Sequence, residues 1–326
     1  MSLFDKTIIG CIEAKNHFIR AATGLGQAST DGYPTEAIRK IWLALAEGEV
    51  GTIITSLTSV AEYEQASRGQ LKITRDEMIP AYRILTEEIH KTGSKIVMQL
   101  FHGSSSSQVD PAHSLVLGPS AVQNPMSGIV PKEIDRDDMA RVTELFTAAA
   151  VRAKEAGFDG IELHGAHSCL LSQFLLPSFN RRTDEYGGNV ENRYRFVGEI
   201  VRAVRKAVSS DYPLWIKIDS SGMYSGDLPE KDYLRTGELL AADGIDAIEV
   251  SGLTQPRSYR GAYYREAAER LSERIDKSVI LTGGIRLLKD MEEISAESKV
   301  QAFGLSRPFI RDPYYLLKLK EGADKA

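Results

Sequence analysis

Short apolar runs alternate with amphipathic stretches along nearly the whole chain, and this alternation constrains the fold more than any other feature. The strand-like runs are Phe18–Ala21, Gly51–Ser56, Lys95–Phe101, Phe158–Leu163, Pro213–Ile218, Ala247–Val250, Val279–Leu281 and Ala302–Leu305. Helical periodicity follows them over 35–48 (with Thr35 as the cap), 75–92, 137–157, 189–209, 231–243, 264–275 and 287–294, and again after Pro313. Strand-then-helix repetition makes neighbouring strands parallel. Eight such units are enough to close a barrel, whereas an open doubly wound sheet is normally complete with fewer. The sequence therefore predicts an α/β protein, a single (β/α)₈ TIM barrel over residues 1–326. Ile8–Glu13 is expected to form a strand of a short N-terminal hairpin.

The segment 102–131, after the third strand, breaks the rhythm with a run of four serines and several Pro and Gly. A long loop inside a compact domain serves either as a lid or binding loop or as a cover for one barrel end. Both roles are compatible with these residues.

Composition narrows the function classes. The net charge of -5 provides no basic surplus for phosphate backbones, so nucleic acid is not an expected partner. The two cysteines, Cys11 and Cys169, are far apart and form no CxxC pair, which disfavours disulfide scaffolds, zinc ribbons and iron–sulfur clusters. The N-terminus lacks a signal-peptide core, and no uncharged run is long enough to span a membrane. A cytoplasmic protein acting on a small molecule is expected, and self-association into a homo-oligomer is compatible with it.

In such a barrel the carboxyl ends of the strands converge on one mouth. Here they bring Ala21, Ala22, Thr23, Gly24, Ser56, Leu57, Gln99, His102, His164, His167, Lys217, Ser251, Gly283, Gly284, Ser306 and Arg307 to that mouth. Gly283-Gly284 after strand seven and Ser306-Arg307 after strand eight read as a phosphate site, with close backbone N–H groups and a guanidinium clamp. Lys217 alternates to the inner face with Trp215 and needs an anionic partner there. The electron-rich end of a reduced flavin would serve, and so would a nearby carboxylate such as Asp219. Gln99 suits the edge of a planar heterocycle or a satisfied core amide. His164 and His167 admit three roles: metal ligands, for which no convincing third ligand exists; structural histidines; or paired donors that polarise a carbonyl oxygen. A barrel lyase or isomerase acting on a phosphorylated substrate, with Lys217 as its reactive amine, is the rival from another class.

The stretch His164–Phe196, HGAHSCLLSQFLLPSFNRRTDEYGGNVENRYRF, resembles the Old Yellow Enzyme family of FMN-dependent NAD(P)H:flavin oxidoreductases. So do KNHFIRAATG, EGEVGTIITS, VMQLFHG, WIKIDSS, TGGI and LSRPFIRDP. The resemblance covers nearly the whole chain. It implies FMN at the mouth and NADH or NADPH as reductant, with hydride passing by way of the flavin to an activated alkene. It further implies that Gln99 and Lys217 meet the flavin ring, and that Gly283, Gly284, Ser306 and Arg307 hold its phosphate. Ala21, Ala22 and Thr23 would lie beside the ring, and His164 and His167 would bind the substrate carbonyl. One departure bears on the chemistry: the family's proton-donating Tyr is replaced here by Cys169. The donor is then Cys169, one of Tyr224, Tyr263 and Tyr264, or water. Otherwise the chain is a flavin barrel with little ene-reductase activity, used in electron transfer or another dehydrogenation.

Overall fold

The computed structural model describes residues 2–64, 68–107, 115–222, 227–253 and 261–322. Eight parallel strands close on themselves: β1 (Phe18–Arg20), β2 (Thr52–Ile54), β3 (Lys95–Phe101), β4 (Gly160–Gly165), β5 (Leu214–Asp219), β6 (Ala247–Ser251), β7 (Ser278–Thr282) and β8 (Val300–Leu305). β8 pairs with β1, and β3 pairs with both β2 and β4, so the sheet has no free edge between them. Helices α1 (Glu36–Glu47), α2 (Ile79–His90), α3 (Arg136–Glu155), α4 (Leu170–Leu175), α5 (Val190–Val208), α6 (Glu230–Ala242), α7 (Arg265–Arg274) and α8 (Leu288–Glu297) connect the strands, and α9 (Arg307–Arg311) and α10 (Tyr315–Lys320) follow β8. The (β/α)₈ expectation is met. Thr35 and Asn189 cap α1 and α5 by accepting from the amides of Ile38 and Asn192. No helix among the described residues is long and apolar enough to cross a membrane.

Three boundaries differ from expectation. Ile8–Glu13 is not one strand but two short antiparallel arms, Thr7–Ile9 and Ile12–Ala14, because Gly10 and Cys11 both take positive φ and turn the chain between them. β4 runs two residues further than the apolar run, taking in His164 and Gly165, because its ladder with β5 pairs His164 with Lys217 and Gly165 with Ile218. β5 likewise gains Asp219, paired with Ser251. Ladder hydrogen bonding, not side-chain polarity, sets where these strands stop.

The barrel interior is divided along its axis. At the amino end the hairpin residues Ile9, Ile12 and Ala14 plug it, packing on Ile19, Ile54, Val97, Trp215, Ala247, Ile280 and Ala302. Trp215 is fully buried there and donates Nε1–H to the Gly10 carbonyl at 3.0 Å. A Cβ on Gly10 would lie 2.4 Å from that same nitrogen, so the turn requires glycine for space as well as for φ. Trp215→Phe keeps most of the apolar area but leaves the buried Gly10 carbonyl without its donor. It is expected to cost about 1–3 kcal/mol, measured as a shift of the urea unfolding midpoint at constant slope.

Candidate active site

Above the apolar plug the inner face becomes polar. Alternation along β4 places Glu162 and His164 on the inside, along β5 Trp215, Lys217 and Asp219, and along β6 Ala247, Glu249 and Ser251. Gln99 on β3 is opposite Glu162. Gln99, Glu162, Lys217 and Glu249 are each at most 2% exposed, so this layer contains no water-facing charge. The Lys217 ammonium sits 3.0 Å from a Glu249 carboxylate oxygen. Its carboxylate partner is therefore Glu249 rather than Asp219, which the sequence allowed as one alternative, because Glu249 is directly opposite Lys217 in the β5–β6 register. Burial disfavours both charges, but each partner overcomes it in the other: Glu249 is held below the usual carboxylate range and Lys217 above the usual ammonium range. Gln99 Nε2 donates to Glu162 Oε1 at 2.5 Å.

The two histidines lie at the mouth side of this layer, their ring centroids 5.2 Å apart. Burial first, then the neighbouring His167 and Lys217, push His164 well below the usual imidazole value. His167 is likewise lowered, to about 4, through burial and Lys217. Both are neutral at physiological pH and can donate hydrogen bonds without carrying charge. His167 Nε2 is 2.9 Å from the Ser251 hydroxyl, whereas His164 Nδ1 is buried with no partner among the described residues.

The chain reaches His167 through two successive non-glycine residues in the left-handed region, His167 at φ +59° and Ser168 at φ +55°. That conformation costs about 1–2 kcal/mol per residue and must be held by its surroundings. Asp219 supplies the hold: its carboxylate accepts the His167 amide at 2.9 and 3.1 Å and the Ser172 hydroxyl at 2.7 Å. Burial raises Asp219 to about 7 against those bonds and the pull of Lys217.

Cys169 follows this turn at the start of α4 and is 5% exposed, with Sγ 4.0 Å from the His167 carbonyl. Burial, then the Glu64 and Asp219 carboxylates, raise its thiol well above the usual value, so it remains protonated. The serine run of the long loop packs beside it. Ser104 donates to Gln173 Oε1 at 2.8 Å, Gln173 Nε2 donates to Ser105 at 2.9 Å, and Ser106 bonds the Ser168 carbonyl. Of the alternative donors, Tyr264 gives its hydroxyl to the Gly252 carbonyl at 2.9 Å, Tyr263 lies by Arg307, and Tyr224 is outside the described residues.

Opposite the histidines, Gly283 and Gly284 turn the chain at φ +127° and +78°, packed so closely that added Cβ atoms would meet the Tyr264 ring and the Gly261 carbonyl. Ser306 and Arg307 open α9 beside them, and Arg307 Nη2 is 3.3 Å from the Tyr263 hydroxyl. Thr23 Oγ1 and Ser306 Oγ, 2.7 Å apart, tie the end of β1 to the end of β8. Ala21 is buried with both backbone polar groups engaged, its N–H on Leu305 and its carbonyl on the Arg20 guanidinium, leaving Ala22 and Thr23 the more open pair.

These residues fit a flavin. Gln99 Oε1 and His164 Nδ1 are buried polar atoms with no protein partner among the described residues, a state that costs about 1–3 kcal/mol each unless a ligand completes it. A lysine stands beside them, and a glycine turn with an arginine lies across the mouth. No cluster of three His, Cys, Asp or Glu able to hold a metal exists among the described residues. A separate cleft of about 540 Å³ is at the other barrel end between Phe4, Lys15, Asn16, Glu47, Glu49 and Lys320.

Sequence reasoning missed Glu162, Glu249 and the buried Arg20. A signal for the first two existed: each is a lone acidic residue inside an apolar strand, on the same parity as a polar strand end (Glu162 with His164, Glu249 with Ser251). The contrast between the two cysteines is testable. With exposed Cys11 and buried Cys169, a colourimetric thiol reagent at mildly alkaline pH is expected to react with one equivalent rapidly and with the second only on unfolding. Rapid reaction of two equivalents would contradict the placement of Cys169.

Over residues 2–326 the chain matches the model of the NADH:flavin oxidoreductase / NADH oxidase family. It is 36% identical over 321 residues to an NADPH dehydrogenase of Geobacillus sp. (strain WCH70), covering 96% of this chain and 92% of that one. It is 31% identical to an NADH oxidase of Thermoanaerobacter brockii, covering 98% of this chain but 51% of that longer protein. Among solved structures, the old yellow enzyme homologue from Zymomonas mobilis superposes with a TM-score of 0.87 at 24% identity, covering 99% of this chain and 93% of that one. Morphinone reductase in complex with tetrahydroNAD superposes with a TM-score of 0.85 at 25% identity, over 99% of this chain and 91% of that one.

Proposed function

The chain belongs to the NADH:flavin oxidoreductase / NADH oxidase family, the family of the Old Yellow Enzymes, with FMN as cofactor and NAD(P)H as reductant, and on that premise we propose that it reduces an alkene activated by a carbonyl or similar group. FMN, when bound, would supply the two-electron hydride chemistry that links the nicotinamide to the alkene β-carbon. The protein's own residues do the rest.

Gln99 and Lys217 receive the ring at the mouth, and Gly283, Gly284, Ser306 and Arg307 receive its phosphate, with Ala21, Ala22 and Thr23 beside the ring. His164 and His167 bind the substrate carbonyl oxygen. Hydride delivery to the β-carbon moves negative charge onto that oxygen, and donors already aimed there stabilise it without reorganising. The observation that carries this reading is the pair itself: two imidazoles held neutral, 5.2 Å apart, one with an unpartnered buried nitrogen. Neutral donors bind a carbonyl and strengthen as charge arrives, whereas an imidazolium pair would repel itself. The α-carbon proton comes from Cys169 or water. The raised thiol value keeps the proton available but makes Cys169 a weak acid for this task.

Two rivals differ on particular atoms. A Schiff-base lyase needs a neutral lysine, and Lys217 is held charged by Glu249 at 3.0 Å. A flavin barrel confined to electron transfer is favoured by the replacement of the family's tyrosine with Cys169. Stopped-flow mixing of the reduced enzyme with a panel of enones separates these. Reoxidation by at least one enone is expected, slowed about 10²–10³-fold in His164→Ala/His167→Ala and accelerated in Cys169→Tyr. Reoxidation by oxygen alone, with no response to any enone, would contradict alkene reduction.

A further inference from the structure

The buried layer beneath the mouth contains more acid than base. Two carboxylates, Glu162 and Glu249, share the layer with one ammonium, Lys217, which contacts Glu249 and acts on Glu162 through its charge. Lys217 and Glu249 neutralise each other, which leaves Glu162. Its Oε1 accepts from Gln99, but its Oε2 has no N–H or O–H donor among the described residues. The neighbour within hydrogen-bonding reach is the Glu249 carboxylate. A carboxylate oxygen facing another carboxylate in a dry interior can be satisfied only by a proton between them.

The groups facing this pair are few. β3 brings Gln99, β5 brings Lys217, β6 brings Glu249, β7 brings Thr282 beside Glu249, and β4 itself brings His164, which is neutral. Arg20 acts on Lys217 from a distance, but its guanidinium is engaged with the Ala21 carbonyl and Thr23. None of these supplies a second hydrogen-bond donor to Glu162.

We propose that Glu162 is a neutral carboxylic acid in the working enzyme and the positioning residue for both Gln99 and Lys217. The result is one directed chain. The Gln99 amide N–H donates to the Glu162 carbonyl oxygen, the Glu162 O–H donates to the Glu249 carboxylate, and the Lys217 ammonium is ion-paired with the same carboxylate. The direction matters at the mouth. With Nε2 committed to Glu162, the unpartnered atom of Gln99 is Oε1, so the edge it can offer a ligand is an acceptor for a ring N–H. With Glu162 neutral, Glu249 alone balances Lys217, and the layer adds no net negative charge to repel the charge that hydride brings. An ionised Glu162 would still accept from Gln99, but it would add a second negative charge to the layer, repel Glu249 and compete with it for Lys217. Burial and the Glu249 charge both push its titration well above the usual carboxylate range. The chain is therefore intact below that raised value and is lost as the pH rises through it.

This inference rests on the reading of Gln99 and Lys217 as the flavin-facing groups, and the experiment separates the two. Glu162→Gln reproduces the neutral acid, because its Oε1 accepts from Gln99 and its Nε2 donates to Glu249, but it cannot ionise. Infrared spectra of the apoprotein at about pH 8, where Asp219 is mostly ionised, are expected to show the C=O band of a protonated carboxylic acid that Glu162→Gln removes. FMN affinity, measured by fluorescence quenching, is expected to fall about tenfold or more in the wild type as the pH is raised through the Glu162 titration. Glu162→Gln should be spared that fall, and Glu162→Leu should be weakened about tenfold at every pH. No carboxylic-acid band, or a Glu162→Gln protein as weak as Glu162→Leu at neutral pH, would overturn the proposal by showing that Glu162 works as an anion. Should Gln99→Leu and Glu162→Leu both bind FMN as tightly as the wild type, the flavin-facing reading fails, and the positioning role with it, even if the band is present.

Discussion

A buried ion pair organises this barrel. Lys217 and Glu249, 3.0 Å apart and almost wholly buried, are adjacent because the β5–β6 register puts them there. Such a pair contributes little to stability, since the desolvation of two charges offsets most of their attraction. Well-packed apolar residues would serve the fold as well or better. The layers below show what that alternative looks like, with Trp215, Ala247, Ile280 and Ala302 closing the same barrel on the hairpin plug. The change from an apolar lower barrel to a charged upper one is therefore a functional feature. It places fixed charge and unpaired hydrogen-bonding atoms next to the mouth, where a ligand completes them.

From that layer the rest of the site follows. Burial keeps both imidazoles neutral and Lys217 adds to it, while the same cation helps hold Asp219 against its burial. Asp219 in turn secures the left-handed turn at His167 and Ser168 that brings the second histidine beside the first. The serine run after β3 ties to the same turn through Ser106, and to α4 through Gln173. A disturbance of the buried charges would reach the histidines through these contacts without unfolding a single strand.

Much of this was legible in the sequence, because strand–helix alternation over a whole chain leaves few architectures. Strand ends in a barrel also share one mouth, so the polar residues there could be read off in order. Lys217 was identified as an inward cation needing an anionic partner, with a reduced flavin or a nearby carboxylate such as Asp219 as the candidates, and Glu249 was not among them. Choosing between Glu249 and Asp219 requires the β5–β6 register, which no local pattern encodes. Glu162 was missed for a related reason: inside an apolar run a single acid looks like an outward residue until alternation is counted from His164. The left-handed geometry at His167 was not legible at all, because neither His nor Ser advertises positive φ as glycine does. It is imposed by the contact with Asp219, 52 residues away.

The central claim is that the buried ion pair serves the cofactor and not the fold. The direct measurement is paired calorimetry on Lys217→Met/Glu249→Met, recording the thermal unfolding of the apoprotein and its titration with FMN. The account predicts unfolding at the same temperature or higher, with FMN affinity weakened about tenfold or more. A double variant that unfolds well below the wild type while binding FMN equally tightly would contradict it.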